Sequence, residues 1–386
     1  MKAIRSDRPT AAVVGASIAG ASCAQALAGA GWRVQVFDKS RGPGGRLATR
    51  RMGWTDASGQ LRQTVLHHGA PGFTARSPQF VQWLQEAVAA GAAEAWQPLV
   101  ASGSRPAGDD PYTVRYRGLP DGPALCRWLL QGLPELQTHW NLPVDQLQHG
   151  ADGWRLLAGG QPLGEAVDAV ILALPPAQAA PLLAPHRRDW AQRASLVLMQ
   201  PCWSLMGVSG PLPDGLAAAA QPWQIARPQQ GALAFILREP GETDELRWVL
   251  HARAGWSRQH LEDLPEQVLP ELKAALQSWL GTAPAWRHAV VHRWRYAVPA
   301  AQPLPFDGPA DSDAPPAPAS CWWDAGQGLG VCGDFLGHAP ASPVGSGGTV
   351  EGAWASGRAM AAQLLSSAVP ASAAAGGHPL LNTVAS

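Results

Sequence analysis

The sequence predicts an α/β protein with a second, α+β domain inserted into it, and three observations carry that prediction. Residues 10–37, "TAAVVGASIAGASCAQALAGAGWRVQVF", read as strand, glycine turn, small-residue helix and strand, the first half of a βαβ unit. "VDAVILALPP" (Val167 to Pro176) is another apolar strand, halted by two prolines, that marks a return of the chain to the same sheet. Elsewhere, four segments of strand character and one amphipathic helix read as a separate mixed or antiparallel sheet with helical cover.

The first unit runs as a strand at Ala11–Val14, a helix to about Gly29 and a strand at Arg33–Phe37. Ala19, Gly20, Ala21, Ala24 and Ala28 give the helix a surface of small side chains, so it lies close against the strands. Its N-terminus offers unpaired N–H groups and partial positive charge, which attract a pyrophosphate. Gly15 permits the tight turn, Gly20 permits close packing, and Ile18 and Ala19 open the helix. Ser17 stands where a middle glycine would let the backbone approach phosphate. Serine is a mild replacement whose hydroxyl can itself donate to a phosphate oxygen, so nucleotide binding is expected to persist. Asp38 lies about 20 residues past the turn, where a carboxylate meets a ribose hydroxyl.

The second domain is read from period. Phe80–Ala89 and Pro265–Leu280 repeat apolar residues at helical spacing, whereas Ser195–Val208, Ala232–Leu237, Arg247–His251 and Ala289–Tyr296 have strand character. The boundaries expected are 1–75, 112–180 and 319–366 for the nucleotide domain and 76–111 and 181–318 for the inserted one. Asp307–Ser320 and a tail over 367–386 read as unstructured and carry no chemistry.

Composition narrows the function classes. The chain has 386 residues, enough for two or three domain-sized units, and a formal net charge of zero. Aromatics are not interleaved with basic runs, so no footprint for nucleic acid or anionic lipid is present. No stretch is long and apolar enough to span a bilayer. The five cysteines are scattered without a Cys-x-x-Cys pair, which argues against a disulfide framework and a zinc site and fits a reducing cytoplasm. Lys2, Arg5 and Arg8 before "ALAGA" imitate a secretory signal, but the run carries Gln25 and flows straight into a strand, so no signal is expected.

Two further segments distinguish a flavin from a nicotinamide. "KSRGPGGRLATRR" (Lys39 to Arg51) follows the acidic strand end with a glycine-rich, arginine-rich loop. Its Lys39, Arg41, Gly44, Gly45 and Arg46 resemble the second phosphate-contacting loop of two-dinucleotide-fold flavoproteins. "GLGVCGDFLG" (Gly328 to Gly337) places Gly333 and Asp334 after a short apolar strand, similar to the Gly-Asp motif that holds FAD in those proteins. The helix at Thr349–Leu365 would then turn Val350, Glu351 and Ala353 toward the flavin's pyrimidine edge.

With "HHGAPGFTAR", "LALPPAQAAPLL", "MQPCWSLM", "WVLHARAGWSRQHLED", "HRWRYA" and "CWWDAGQGLGVCGDFLG", these segments together resemble the bacterial renalase family of FAD-dependent oxidoreductases over most of Ala11 to Leu365. The resemblance implies a two-dinucleotide-binding-type fold similar to monoamine oxidase and p-hydroxybenzoate hydroxylase. It implies non-covalent FAD and oxidation of off-pathway dihydronicotinamide isomers to NAD(P)+, with O2 reoxidising the flavin to give H2O2. By analogy, His68, Gly69 and Ala70 lie by the isoalloxazine, Val144 meets adenine, and His251, Trp256, Trp294 and Arg295 face the flavin from the inserted sheet. Departures are Ser17 for Gly, His67 for an acid, Pro71-Gly72 for Gln-Tyr, no methionine in "GLPDGPAL" and no Asn-Ser-Lys-type stretch at "LREPGE".

Two rival readings stand beside this one. An amine oxidase of the monoamine oxidase type shares the fold, but it uses a lysine near the flavin, and this chain has only Lys2, Lys39 and Lys273. A decayed flavin-binding protein would explain Ser17, His67 and Pro71-Gly72 as drift, yet it would have no need to keep Asp38, Arg46 and the Gly-Asp motif.

Overall fold

A computed structural model describes residues 8–101, 114–213, 223–242, 244–300, 320–336 and 349–368. Residues 307–319 and 369–386, both expected to be unstructured, lie outside them, as does Gly337. The helix predicted to end at Leu365 continues, as Val350–Ala368. Ser367 Oγ bonds back to the Leu364 carbonyl and receives Trp323 Nε1 at 3.0 Å, which ties this last turn down. The tail expected from 367 therefore begins too early.

The first sheet has six strands in the order Cys321–Asp324, Leu329–Cys332, Ala169–Leu172, Thr10–Val14, Arg33–Phe37 and Leu136–His139. All neighbours are parallel except the edge pair Cys321–Asp324 with Leu329–Cys332. Both faces of Thr10–Val14 are covered: Ala11 and Val13 enter one core, Ala12 and Val14 another. Over the first core lie the helices Ile18–Gly29 and Val350–Ala368. A Cβ on Gly357 would stand 2.1 Å from the Ala19 carbonyl oxygen, so these helices meet backbone to backbone there. The helices Pro176–Leu183 and Arg188–Leu196 cover the other face.

The second sheet is antiparallel, in the order Ile225–Ala226, Leu233–Pro240, Leu246–Ala252, Met199–Ser209 and Trp286–Pro299. The helix Pro265–Leu280, at the bounds its period predicts, packs Val268, Leu272, Leu276 and Leu280 onto one face. Met206, Leu237 and Val249 on the other face meet Met52 and Leu66 of the hairpin Arg50–Thr55/Leu61–Leu66. Ser195, expected to open the first long strand, instead belongs to a helix that ends at Leu196. Trp190 and Ala194 of that helix are buried at a four-residue spacing, and this contact outweighs the apolar run that follows.

The domain boundaries expected near 75 and 111 cut through packed elements. Phe80, Trp83, Leu84 and Ala87 of the helix Pro78–Ala89 are buried in the first sheet's core. Ala93–Trp96 pairs with Arg115–Gly118 across the proposed division.

Candidate active-site cleft

The glycine turn is held from both sides. Gly15 has φ +104°, and a Cβ there would lie 2.5 Å from the Ala173 carbonyl oxygen. Gly20 sits one helical turn on, where a Cβ would lie 1.9 Å from the Gly15 carbonyl oxygen. No other side chain fits either position. Ser17 is the N-cap of Ile18–Gly29 but makes no capping bond with its side chain, which leaves the hydroxyl available to a ligand. Asp38 braces the turn, accepting from Ala16 N through Oδ2 and from Ser40 N through Oδ1, each at 2.8 Å. A carboxylate has about four lone-pair sites, so Asp38 retains acceptor capacity for a ribose while holding the backbone.

A cleft of about 1020 Å³ runs from this turn toward the antiparallel sheet. Gly15, Ser17, Ala19, Asp38, Lys39, Gly45, Val144, Gly333, Asp334 and Ala353 line it. It meets a second cavity of about 410 Å³, lined by Ile18, Gly44, Gly69, Ala70, His251, Val350 and, from the second sheet, Cys202 and Ala234. Ser17, Arg46, His68, Trp294, Asp334 and Ala353 line both. The two spaces therefore form one continuous site, of a size suited to a large ligand with a smaller one beside it.

Arg46 and Asp334, distant in sequence, are joined by two charge-assisted bonds of 2.5 and 2.7 Å. Arg46 also donates to the Ala297 carbonyl at 3.2 Å, so one guanidinium links the glycine loop, the Gly-Asp turn and the strand Trp286–Pro299. Gly333 N in turn donates to Ser356 Oγ at 2.9 Å, which fixes that turn on the last helix.

The histidines at the junction are neutral. Burial pushes His68 down to about 3, helped by His292 and Arg50 nearby. Burial likewise lowers His251 to about 4. The His68 ring stacks on Trp294 at 5.0 Å and meets His292 edge-on at 5.0 Å. The Cys202 thiol, in the smaller cavity, is raised to about 12 by burial and stays protonated. Among the described residues no group of His, Cys, Asp and Glu is arranged to hold a metal.

Four residues named from sequence do not reach the cleft. Trp256 turns away and stacks on His260 at 4.0 Å, because two helical residues rotate it about 200° from Ala254, which does line the smaller cavity. Glu351 accepts from Arg76 N and Ser77 N at 2.9 and 2.8 Å, drawn to the orphan amides where the helix Pro78–Ala89 begins. Arg41 is exposed outside both spaces. Gly20 packs behind the turn. Arg295 does line the large cleft, but its guanidinium forks onto Glu262 at 2.7 and 2.8 Å instead of standing free. Sequence reasoning missed Leu142, Pro143 and Gln178 on the large cleft and Pro201, Cys202 and Ala234 on the small one. The two prolines ending Ala169–Leu172 were a usable signal, since ligands in open α/β sheets gather at strand C-termini.

This geometry agrees with comparisons to known proteins. Residues 116–365 match the family described as Flavin containing amine oxidoreductase, and residues 13–87 match the NAD(P)-binding Rossmann-like domain. A candidate protoporphyrinogen oxidase from Exiguobacterium sp. 255-15 shares the fold with a TM-score of 0.62 at 11% identity, over 93% of this chain and 99% of that one. Wild-type putrescine oxidase bound to putrescine does so with a TM-score of 0.56 at 15% identity, over 93% and 100% of the two chains.

Proposed function

The chain belongs to the flavin containing amine oxidoreductase family and takes FAD as its cofactor, and from that premise we propose that it is a renalase-like oxidase of dihydronicotinamides. The close backbone approaches at Gly15 and Gly45, both on the large cleft, fit a dinucleotide lying against the turn. Gly15, Ser17, Asp38, Arg46, Asp334 and Ala353 would hold it. Bound FAD supplies the two-electron acceptor, and O2 takes those electrons as hydrogen peroxide.

The observation that carries the substrate assignment is the neutral lining of the 410 Å³ cavity. Among the described residues that line it, the histidines are held uncharged, the thiol is held protonated, and the two ionic side chains, Arg46 and Asp334, neutralise one another. A cationic amine entering there would lose its hydration without a free counter-charge. A dihydropyridine ring is uncharged and flat. It needs no base from the chain, because loss of a hydride leaves a pyridinium cation and no proton to remove. His251 is instead engaged with the backbone, its Nε2 donating to the His68 carbonyl at 3.1 Å. The chain's part is to exclude water and hold the ring between His68–Ala70 and the Cys202/Ala234 wall.

Amine oxidation is the second reading, favoured by the description of the matched family. Against it, neither described lysine lines the 410 Å³ cavity: Lys39 stands on the large cleft with Nζ 3.4 Å from Gln178 Oε1, and Lys273 sits over the Trp286 ring. Product analysis separates the readings. The proposal expects one H2O2 and one NAD(P)+ per dihydronicotinamide consumed and no aldehyde from benzylamine or putrescine; aldehyde formation with no NAD(P)+ would reject it.

A further inference from the structure

The backbone carbonyl of His68 accepts three side-chain donors at once. His251 Nε2 reaches it at 3.1 Å, Trp294 Nε1 at 3.2 Å and Ser204 Oγ at 3.3 Å. These donors come from three adjacent strands of the antiparallel sheet, Leu246–Ala252, Trp286–Pro299 and Met199–Ser209. A carbonyl oxygen has two lone pairs, and one donor would satisfy it. Three side-chain donors converging on one loop atom exceed what hydrogen-bond satisfaction requires.

The other side of the same loop is bonded to the cofactor loop. Gly69 N donates to the Ala48 carbonyl at 3.2 Å and Ala70 N to the Arg46 carbonyl at 2.9 Å. The approach is close enough that a Cβ on Gly69 would lie 2.1 Å from the Arg46 oxygen. Donation to the His68 carbonyl polarises the His68–Gly69 peptide and strengthens its N–H as a donor to Ala48.

We propose that the His68–Gly69 peptide is a strut between the substrate sheet and the FAD loop, and that Ser204, His251 and Trp294 are positioning residues acting through it. Their role is to set where Arg46–Ala48 stands against the cofactor. This inference depends on FAD binding alone and holds whichever substrate the enzyme takes.

The test is FAD titration of the apoprotein, read by flavin fluorescence and by the visible bands of the bound cofactor. Ser204→Ala and His251→Met each remove one donor, and each is expected to raise the FAD dissociation constant about five- to tenfold and to shift the bands. His251→Gln keeps an amide donor and is expected to return within about twofold of the unaltered protein. Ser209→Ala is the control. Its buried hydroxyl lies on the same strand but bonds Gly210 and Trp248, so FAD affinity should stay unchanged even where stability falls. Unchanged affinity and bands in the first two variants, no rescue by glutamine, or an equal effect in the control would each overturn the proposal. Hydrogen exchange of the unaltered protein supplies a test that no misfolded variant can block. FAD should protect the peptide holding Gly69 and Ala70 together with Leu246–Ala252, and protection of the former alone would contradict the strut.

Discussion

Ser17 and Gly45 are sterically matched across the cofactor turn: a Cβ built on Gly45 would lie 2.8 Å from Ser17 Cβ. The serine that replaces a turn glycine is thus accommodated by a glycine on the neighbouring loop, at φ +52°. Gly45→Ala is expected to weaken FAD binding by roughly tenfold or more, through this clash and the left-handed backbone together. Adding Ser17→Gly removes the clash but leaves the backbone cost, so the double variant should recover part of the loss. FAD titration of the three variants measures this coupling, and simple additivity would show that the two positions are independent.

The buried histidines make acid stability a second prediction. His68 and His251 are held near 3 and 4, against an ordinary value of 6.5. Between about pH 6.5 and 4 the unfolded chain binds protons that the folded one refuses, so stability falls as pH falls through that window. His251→Gln should flatten the slope of denaturation free energy against pH there. Neither group titrates between pH 7 and 9, and an enzymatic pH profile should show no limb from them in that range.

Glu262 is expected to tune the enzyme against phosphate. Its carboxylate occupies the Arg295 fork, with Arg293 at 3.5 Å, in the geometry by which arginine also holds a phosphate. Glu262→Gln should lower KM for phosphate-bearing dihydronicotinamides by up to about fivefold and leave the uncharged riboside unchanged. The gain should fade as ionic strength rises. Equal KM for the variant and the unaltered protein on both substrates would place Arg295 outside the binding surface.

Filling the small cavity should separate the cofactor from the substrate. Ala234 lines only that cavity, so Ala234→Phe is expected to purify with its FAD while reduction by any dihydronicotinamide slows about a hundredfold. Flavin content and anaerobic reduction rate, measured on one preparation, check both halves.

Much of the nucleotide half was legible because its signals are local. The strand Arg33–Phe37 has its expected bounds and Thr10–Val14 begins one residue early, since two-residue alternation and a glycine turn are readable within a short window. The helix Pro265–Leu280 was equally plain from its period. The site was less legible where contacts decide it. Trp256 and Ala254 are two residues apart, and only the packing of their short helix determines which faces the cavity. Arg295 finds Glu262, and Glu351 finds the Arg76 and Ser77 amides, through pairings 33, 275 and 274 residues apart that no local pattern encodes. The hairpin Arg50–Thr55/Leu61–Leu66 takes its burial from Met206 and Val249 of the distant sheet, a partnership no local pattern encodes.

The central claim is a neutral substrate cavity beside FAD. It is tested most directly by the visible spectrum of the purified protein during anaerobic addition of dihydronicotinamide isomers and, separately, of benzylamine. The account predicts a bound flavin band that bleaches with the former and stays unchanged with the latter. Bleaching by the amine alone would contradict it.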